Sequence, residues 1–253
     1  MDCKVKNALS ILERRLHPFV TYISYWRYSW PITAMKHLLN AIQLTSNDQL
    51  ITLGDYVDRG ADSKGVIDLL IQLRRKYSVI CLRGNHEIMM LQAYGGDEAS
   101  MDCWLRVGGI QALQSYNPDL DEEELHLDLV PDNHWFFLKN QLFDWYETDS
   151  HIFVHANLHS SSELKYQPSL YLHWEFLNPA EYIPHISGKT MICGHTSQKS
   201  GWPLYLGTAI CIDTSSKIDP WLTCLHVESG NFWQTNELGD LRTGNIEAIP
   251  EIG

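Results

Sequence analysis

Five short apolar runs, each closing on a polar or charged residue, set the limits on what this chain can fold into. Residues 49–53 run into Gly54-Asp55, Ser78–Leu82 into Arg83-Gly84-Asn85-His86, and His151–Val154 into His155. Residues 191–193 lead to Gly194-His195, and residues 209–212 to Asp213. Apolar runs without strict alternation suit strands covered on both faces. Between the first two, Ser63–Lys76 places Val66, Leu69, Leu70 and Leu73 at helical spacing. It ends on Arg74, Arg75 and Lys76, cations that favour a helix C-terminus. Residues 221–225 and 231–234 flank Glu228-Ser229-Gly230 and predict a late hairpin. Residues 97–140 read as helical throughout, with the acidic run 119–124 as the first turn of a helix. No repeat, low-complexity tract or linker interrupts the pattern, which predicts one α/β domain over residues 1–253.

Composition removes several function classes. With 253 residues, 44% hydrophobic and 20% charged, the chain can bury a substantial core and is not disordered as a whole. A formal charge of −12 argues against a nucleic-acid partner held by counterion release. No apolar run reaches the roughly eighteen residues of a membrane span, and no apolar stretch follows Asp2, Lys4 and Lys6 as in a signal peptide. The expectation is a cytoplasmic protein with no membrane partner. None of the six cysteines forms a CxxC pair. Cys81, Cys193, Cys211 and Cys224 lie inside apolar runs, as reduced buried thiols do.

The strand ends deliver Asp55, Asp58, Asn85, His86, His155, His195 and Asp213 to what should be one edge of a sheet, where open α/β sheets bind ligands. Carboxylate, amide oxygen and imidazole together suit Mn, Fe or Zn. The other histidines, such as His134, His159 and His185, read singly as structural or surface residues.

Gly54-Asp55-Tyr56-Val57-Asp58-Arg59-Gly60, Arg83-Gly84-Asn85-His86-Glu87, Val154-His155-Ala156 and Gly194-His195-Thr196 carry a resemblance. Together they resemble the calcineurin-like metallophosphoesterases, most of all the phosphoprotein phosphatase branch and its bacterial relatives, which include diadenosine tetraphosphate hydrolase. The resemblance covers about residues 20–237. It implies a β-sandwich flanked by helices in α-β-β-α layers. It also implies two divalent metal ions about 4 Å apart, Mn²⁺ first with Fe or Zn as alternatives, and a bridging water that attacks phosphorus in line. By resemblance Asp55 bridges the two ions, and Asn85, His155 and His195 complete the second metal site. His86 protonates the leaving oxygen, Asp58 fixes its tautomer, and Arg59 holds phosphate oxygens. Arg83 is either a second phosphate contact or half of a structural ion pair, and Asp213 supports the site from behind. The implied reaction is hydrolysis of phosphoserine and phosphothreonine in proteins or of a small phosphoester, with dinucleoside tetraphosphate hydrolysis as the alternative.

The chain departs from that pattern at one place. The family's Gly-Asp-x-His-Gly, whose Asp and His hold the first metal, should follow the strand expected at residues 20–24 and precede the helix expected at residues 33–44. Tyr25-Trp26-Arg27-Tyr28-Ser29-Trp30 stands there instead. Arg27 and Ser29 are not ligands for this class of metal, and a cation at position 27 repels one. Tryptophan has the single codon TGG, so a frame one base later turns Trp26 and Trp30 into glycine. With Tyr25 to Trp30 encoded by one synonymous choice, TAT TGG AGA TAT TCA TGG, and a following C, the shifted frame reads ATT GGA GAT ATT CAT GGC, or Ile-Gly-Asp-Ile-His-Gly, with Asp at 27 and His at 29. We read residues 25–30 as the product of two compensating single-base shifts. Taken as written, the segment describes a phosphoesterase-like binding protein with impaired catalysis. Two smaller departures concern the substrate side. No Arg lies between His155 and His195, where relatives place a second phosphate contact and Lys165 is the nearest cation, and Asn157 replaces the commoner Gly after His-Ala.

Overall fold

A computed structural model describes residues 17–22, 32–215 and 220–249, the first six by backbone alone. Tyr25 to Trp30, with Arg27 and Ser29, lie outside the described residues.

Strand and helix alternate at first: β1 (His17–Tyr22), α1 (Ile32–Ile42), β2 (Asp48–Thr52), α2 (Ser63–Lys76), β3 (Ser78–Leu82) and α3 (Asn85–Tyr94). Helices α4 (Glu98–Trp104), α5 (Ile110–Gln114) and α6 (Asp132–Asn140) follow, then β4 (Leu142–Phe143), β5 (Trp145–Glu147) and β6 (His151–Val154). The remainder comprises α7 (Ser169–His173), β7 (Thr190–Cys193), β8 (Leu204–Tyr205), β9 (Ala209–Cys211), β10 (Leu222–His226), β11 (Asn231–Thr235) and β12 (Leu241–Asn245).

The strands form two sheets, ordered β12-β11-β10-β1-β2-β3-β4 and β5-β6-β7-β9-β8. β1 to β4 are parallel, as are β6, β7 and β9. β10, β11 and β12 join antiparallel, and the first two make the expected hairpin. Alternation along each strand then divides the apolar residues between two cores. From β2 and β3, Leu50 and Cys81 face α1 and α2, packing with Leu38, Val66, Ile67 and Leu70. Ile51, Leu53 and Leu82 face the second sheet and meet Phe153, Ile192 and Ile210. Ile152, Val154, Met191 and Cys211 fill the outer face of that second sheet, under Leu158, Leu172 and Leu177. Each such side chain contributes about 1.5–3 kcal/mol on full burial, so both faces of the central strands had to be apolar. The layers run helix, sheet, sheet, and an outer cover in which α7 and loops stand for the second helical layer.

Departures from the sequence-based expectation have local causes. The strand ends come from two sheets and not from one edge. The stretch 97–140 is helical only in pieces. A π-helical turn, Leu105–Gly109, follows α4, and Gly108 within it has φ 134°, outside any helix. The acidic run holds a single 3₁₀ turn, Glu122–Glu124, closed by a capping box in which the Asp121 N–H donates to Glu124 Oε2 at 3.2 Å. Leu120 is the single apolar residue of that run, too little apolar face to extend the turn into a helix. α2 matches its expected bounds, and Asp62 caps it by accepting the Gly65 N–H at 2.8 Å. Cys81, Cys193, Cys211 and Cys224 are buried free thiols.

Candidate metal and phosphate site

The site forms where β2, β3, β6 and β7 end. After β2 the chain turns sharply: Gly54 has φ 101° and Asp55 φ 61°. A Cβ on Gly54 would come within 2.5 Å of the Gly84 nitrogen and 2.8 Å of His155 Nδ1, so glycine alone lets three strand ends converge. Asp58, Arg59 and His195 also have positive φ, at 74°, 53° and 61°. Non-glycine residues held there are uncommon and cluster at functional sites.

Glu87 holds the turn in place. Its carboxylate accepts the N–H groups of Asp55 at 2.9 Å, Tyr56 at 2.6 Å, Val57 at 3.2 Å and Gly84 at 2.8 Å. Burial and the Asp55 carboxylate push Glu87 up to about 7, against those donors. In the sequence Glu87 only closes the second motif, with no role of its own.

Asp55, His155 and His195 present donor atoms within 4.8 Å of one another. His155 Nδ1 lies 2.7 Å from the Leu53 carbonyl oxygen, which can only accept, so Nδ1 carries the proton. Burial lowers the His155 pKa to about 4, and the neutral ring leaves a lone pair on Nε2. That atom faces Asn85 Oδ1 at 3.0 Å and Asp55 Oδ1 at 3.5 Å. His195 Nε2 likewise donates to the Trp174 carbonyl at 3.2 Å, which frees Nδ1. Asp55, His155 and His195 thus cluster their donor atoms, and Asn85 Oδ1 adjoins them through His155 Nε2. This is the donor set of a divalent transition-metal ion, and it fits the chemistry expected. Burial acts against ionisation of Asp55, but His155, His86 and His195 outweigh it and lower its pKa.

His86 stands beside this cluster. Its Nδ1 lies 2.7 Å from Asp58 Oδ2, and Asp58 Oδ1 accepts the Trp104 Nε1–H at 2.7 Å. Burial disfavours charge on His86, yet Asp55 and Asp58 hold its pKa above the ordinary value. Burial raises Asp58 against its bonds to His86 and Trp104. Arg59 donates its Nε–H to the Val107 carbonyl at 2.9 Å and its backbone N–H to Gly108 O at 3.2 Å.

Arg83 and Asp213 have bonded partners of their own, and Asp213 also feels the Asp55 charge. Arg83 donates to Asp144 Oδ1 at 2.7 Å, the structural ion pair of its two readings. Asp213 is buried against Ser215, whose hydroxyl and N–H it accepts, and burial raises its pKa to about 7. Lys165 pairs with Glu163 at 3.1 Å. Asn157 ties down an aromatic ring beside the site. Its side-chain N–H donates to the Phe176 carbonyl at 3.3 Å, and the Phe176 ring stacks on His195 at 4.8 Å. Beyond Phe176 opens a cavity of about 310 Å³ whose walls include Asn157, Tyr171, Glu175, Asn178 and Tyr182.

Comparisons with known proteins agree with this geometry. Residues 17–198 match the calcineurin-like phosphoesterase family, a shorter span than the expected 20–237 at its C-terminal end. A 92-residue stretch is 34% identical to serine/threonine-protein phosphatase 1 of Salmonella typhimurium, covering 33% of this chain and 40% of that protein. A 63-residue stretch is 38% identical to the zinc-dependent endopolyphosphatase of Saccharomyces cerevisiae, covering 25% of this chain and 18% of that protein. The matched stretches thus span less than half of either relative. The crystal structure of a candidate diadenosine tetraphosphatase superposes with a TM-score of 0.55 at 16% identity, over 90% of this chain and 94% of that one. A cold-active protein tyrosine phosphatase gives a TM-score of 0.51 at 17% identity, over 91% of this chain and 81% of that one. With the match running from β1 past His195, the chain belongs to the calcineurin-like phosphoesterase family.

Proposed function

We propose that this protein is a metal-dependent phosphomonoesterase acting on phosphoserine and phosphothreonine in proteins. The observation that carries the reading is the convergence of Asp55, Asn85, His155 and His195 on one point, with the His86–Asp58 pair beside it. In this family two metal ions supply Lewis acidity and an activated water. Asp55, Asn85, His155 and His195 are the residues that would hold the metal here. The Glu87 clamp keeps Asp55 and Asn85 in register through the Asp55 and Gly84 N–H groups. The Arg59 guanidinium, with Nε tied back to Val107, offers its remaining N–H groups to phosphate oxygens. His86 Nε2 delivers a proton to the departing alkoxide oxygen, and Asp58 on Nδ1 holds that tautomer.

The cavity beside His195 favours a protein substrate over a dinucleoside tetraphosphate. Among the described residues its lining includes no Lys or Arg, so the further phosphates of such a chain meet Glu175 and Glu181 without a counter-charge from them. Mn²⁺ is the metal we assign, and the cytoplasm the compartment; among the described residues no helix is long and apolar enough to cross a membrane. The first metal site requires ligands at positions 27 and 29, so full activity belongs to the chain with Gly-Asp-Ile-His-Gly at 26–30. Side-by-side hydrolysis of a phosphoserine peptide and diadenosine tetraphosphate with Mn²⁺ tests the assignment. Faster turnover of the peptide supports it, and faster turnover of the dinucleotide replaces it with the alternative.

A further inference from the structure

We infer that Trp104 is a positioning residue for proton delivery, holding the Asp58 carboxylate so that Asp58 can hold the His86 imidazole. The inference rests on the reading above in taking His86 as the proton donor. Asp58 spends one oxygen on each partner: Oδ1 accepts the Trp104 Nε1–H and Oδ2 faces His86 Nδ1, both at 2.7 Å. Trp104 and Asp58 are each 0% exposed, so water cannot replace either bond. The Asp58 backbone sits at φ 74°, in the left-handed region. Its side-chain direction depends on the two bonds.

Trp104 is itself locked. It ends α4, and the π-helical turn Leu105–Gly109 folds back over it. A Cβ on Gly109 would come within 2.6 Å of the indole ring, so the backbone lies directly on its face. The same turn accepts the Arg59 N–H and Nε–H through Gly108 and Val107. One irregular turn thus fixes the orientation of both the proton-delivery pair and the phosphate-binding arginine, and π turns of this kind recur at functional sites. The indole places its single donor on the buried Asp58 carboxylate.

The chemistry separates this role from packing. In hydrolysis the phosphoryl group passes to water, the bond from phosphorus to the leaving oxygen breaks, and the proton on His86 goes to that oxygen. An acidic leaving group such as 2,4-dinitrophenol departs as the anion and needs no proton, whereas the serine alkoxide needs one. Loss of a residue that acts through His86 therefore slows the serine ester selectively. Loss of a merely structural residue slows both esters alike.

The test compares the full chain carrying Gly-Asp-Ile-His-Gly at 26–30 with the same chain bearing Trp104→Phe. We expect kcat for a phosphoserine peptide to fall at least about tenfold more than kcat for 2,4-dinitrophenyl phosphate, with KM moved less than about twofold. Equal losses on the two esters overturn the inference. A second arm uses the chain as written and needs no turnover. Among the indole N–H signals of its nine tryptophans, that of Trp104 should be strongly downfield, slow to exchange, and displaced by Asp58→Asn. A Trp104 signal at the ordinary position, unmoved by Asp58→Asn, also overturns it. Should the restored chain hydrolyse neither ester while the second arm succeeds, the phosphatase reading fails and the Trp104–Asp58 linkage stands.

Discussion

The Glu87 carboxylate accepts the Tyr56 backbone N–H at 2.6 Å, joining the start of α3 to the turn after β2. With the bonds from Asp55, Val57 and Gly84 it satisfies four backbone donors, three of them in that turn. Removing the acceptor leaves those N–H groups buried and unpaired, at about 1–3 kcal/mol each before local relaxation. Glu87→Ala should therefore destabilise the chain by about 3 kcal/mol or more in urea unfolding. A loss under about 1 kcal/mol would show that the clamp is replaceable.

Gly108 lies against Arg59. An added Cβ would sit 2.6 Å from the Arg59 nitrogen and 2.7 Å from its Cγ, on a backbone with φ 134°. Gly108→Ala must shift the turn that orients Arg59, at about 1–3 kcal/mol of strain. We expect lower stability together with a raised KM for phosphate esters. Unchanged KM in a folded variant would remove Arg59 from substrate binding.

His155 makes a pH prediction. Burial lowers its folded pKa to about 4 from an ordinary 6.5. Between these values the unfolded chain binds more protons at this residue, so its contribution to stability rises with pH. In chelator, it should remove about 3 kcal/mol as pH falls from 6.5 to 4. The difference in unfolding free energy between the chain and His155→Gln isolates this effect and should shrink over that window. A pH-independent difference would contradict the neutral, metal-ready imidazole.

Strand-terminal chemistry was the legible part of this sequence. Gly54-Asp55, Asn85-His86, His155 and His195 follow apolar runs directly, and parallel strands bring their ends together whatever the loops do. Trp104 was not legible: it lies 46 positions beyond Asp58, in a helical stretch where an aromatic reads as core. Only the π turn aims its N–H. Glu87 only closes the second motif in the sequence, and its three long-range acceptor contacts depend on the tertiary approach of two loops. The acidic run at 119–124 misled because charge placement alone marks a helix start, and Leu120 is its single apolar residue to pack. Asn157, a departure in sequence, proved to be the tie that holds Phe176 against His195.

We expect the described cluster to bind metal even with Arg27 and Ser29 in place. Asp55→Asn in the chain as written should weaken Mn²⁺ binding at least about tenfold in equilibrium dialysis, since an amide offers one neutral oxygen where the carboxylate offers charge. Equal affinity would place the ion elsewhere.

The most direct test restores the missing ligands with Trp26→Gly, Arg27→Asp, Tyr28→Ile, Ser29→His and Trp30→Gly, and measures bound Mn²⁺ and phosphate release from a phosphoserine peptide. The account predicts two ions per chain and metal-dependent turnover in the restored protein. It predicts fewer ions and little turnover in the chain as written. A restored protein that is folded, holds two ions and releases no phosphate would contradict it.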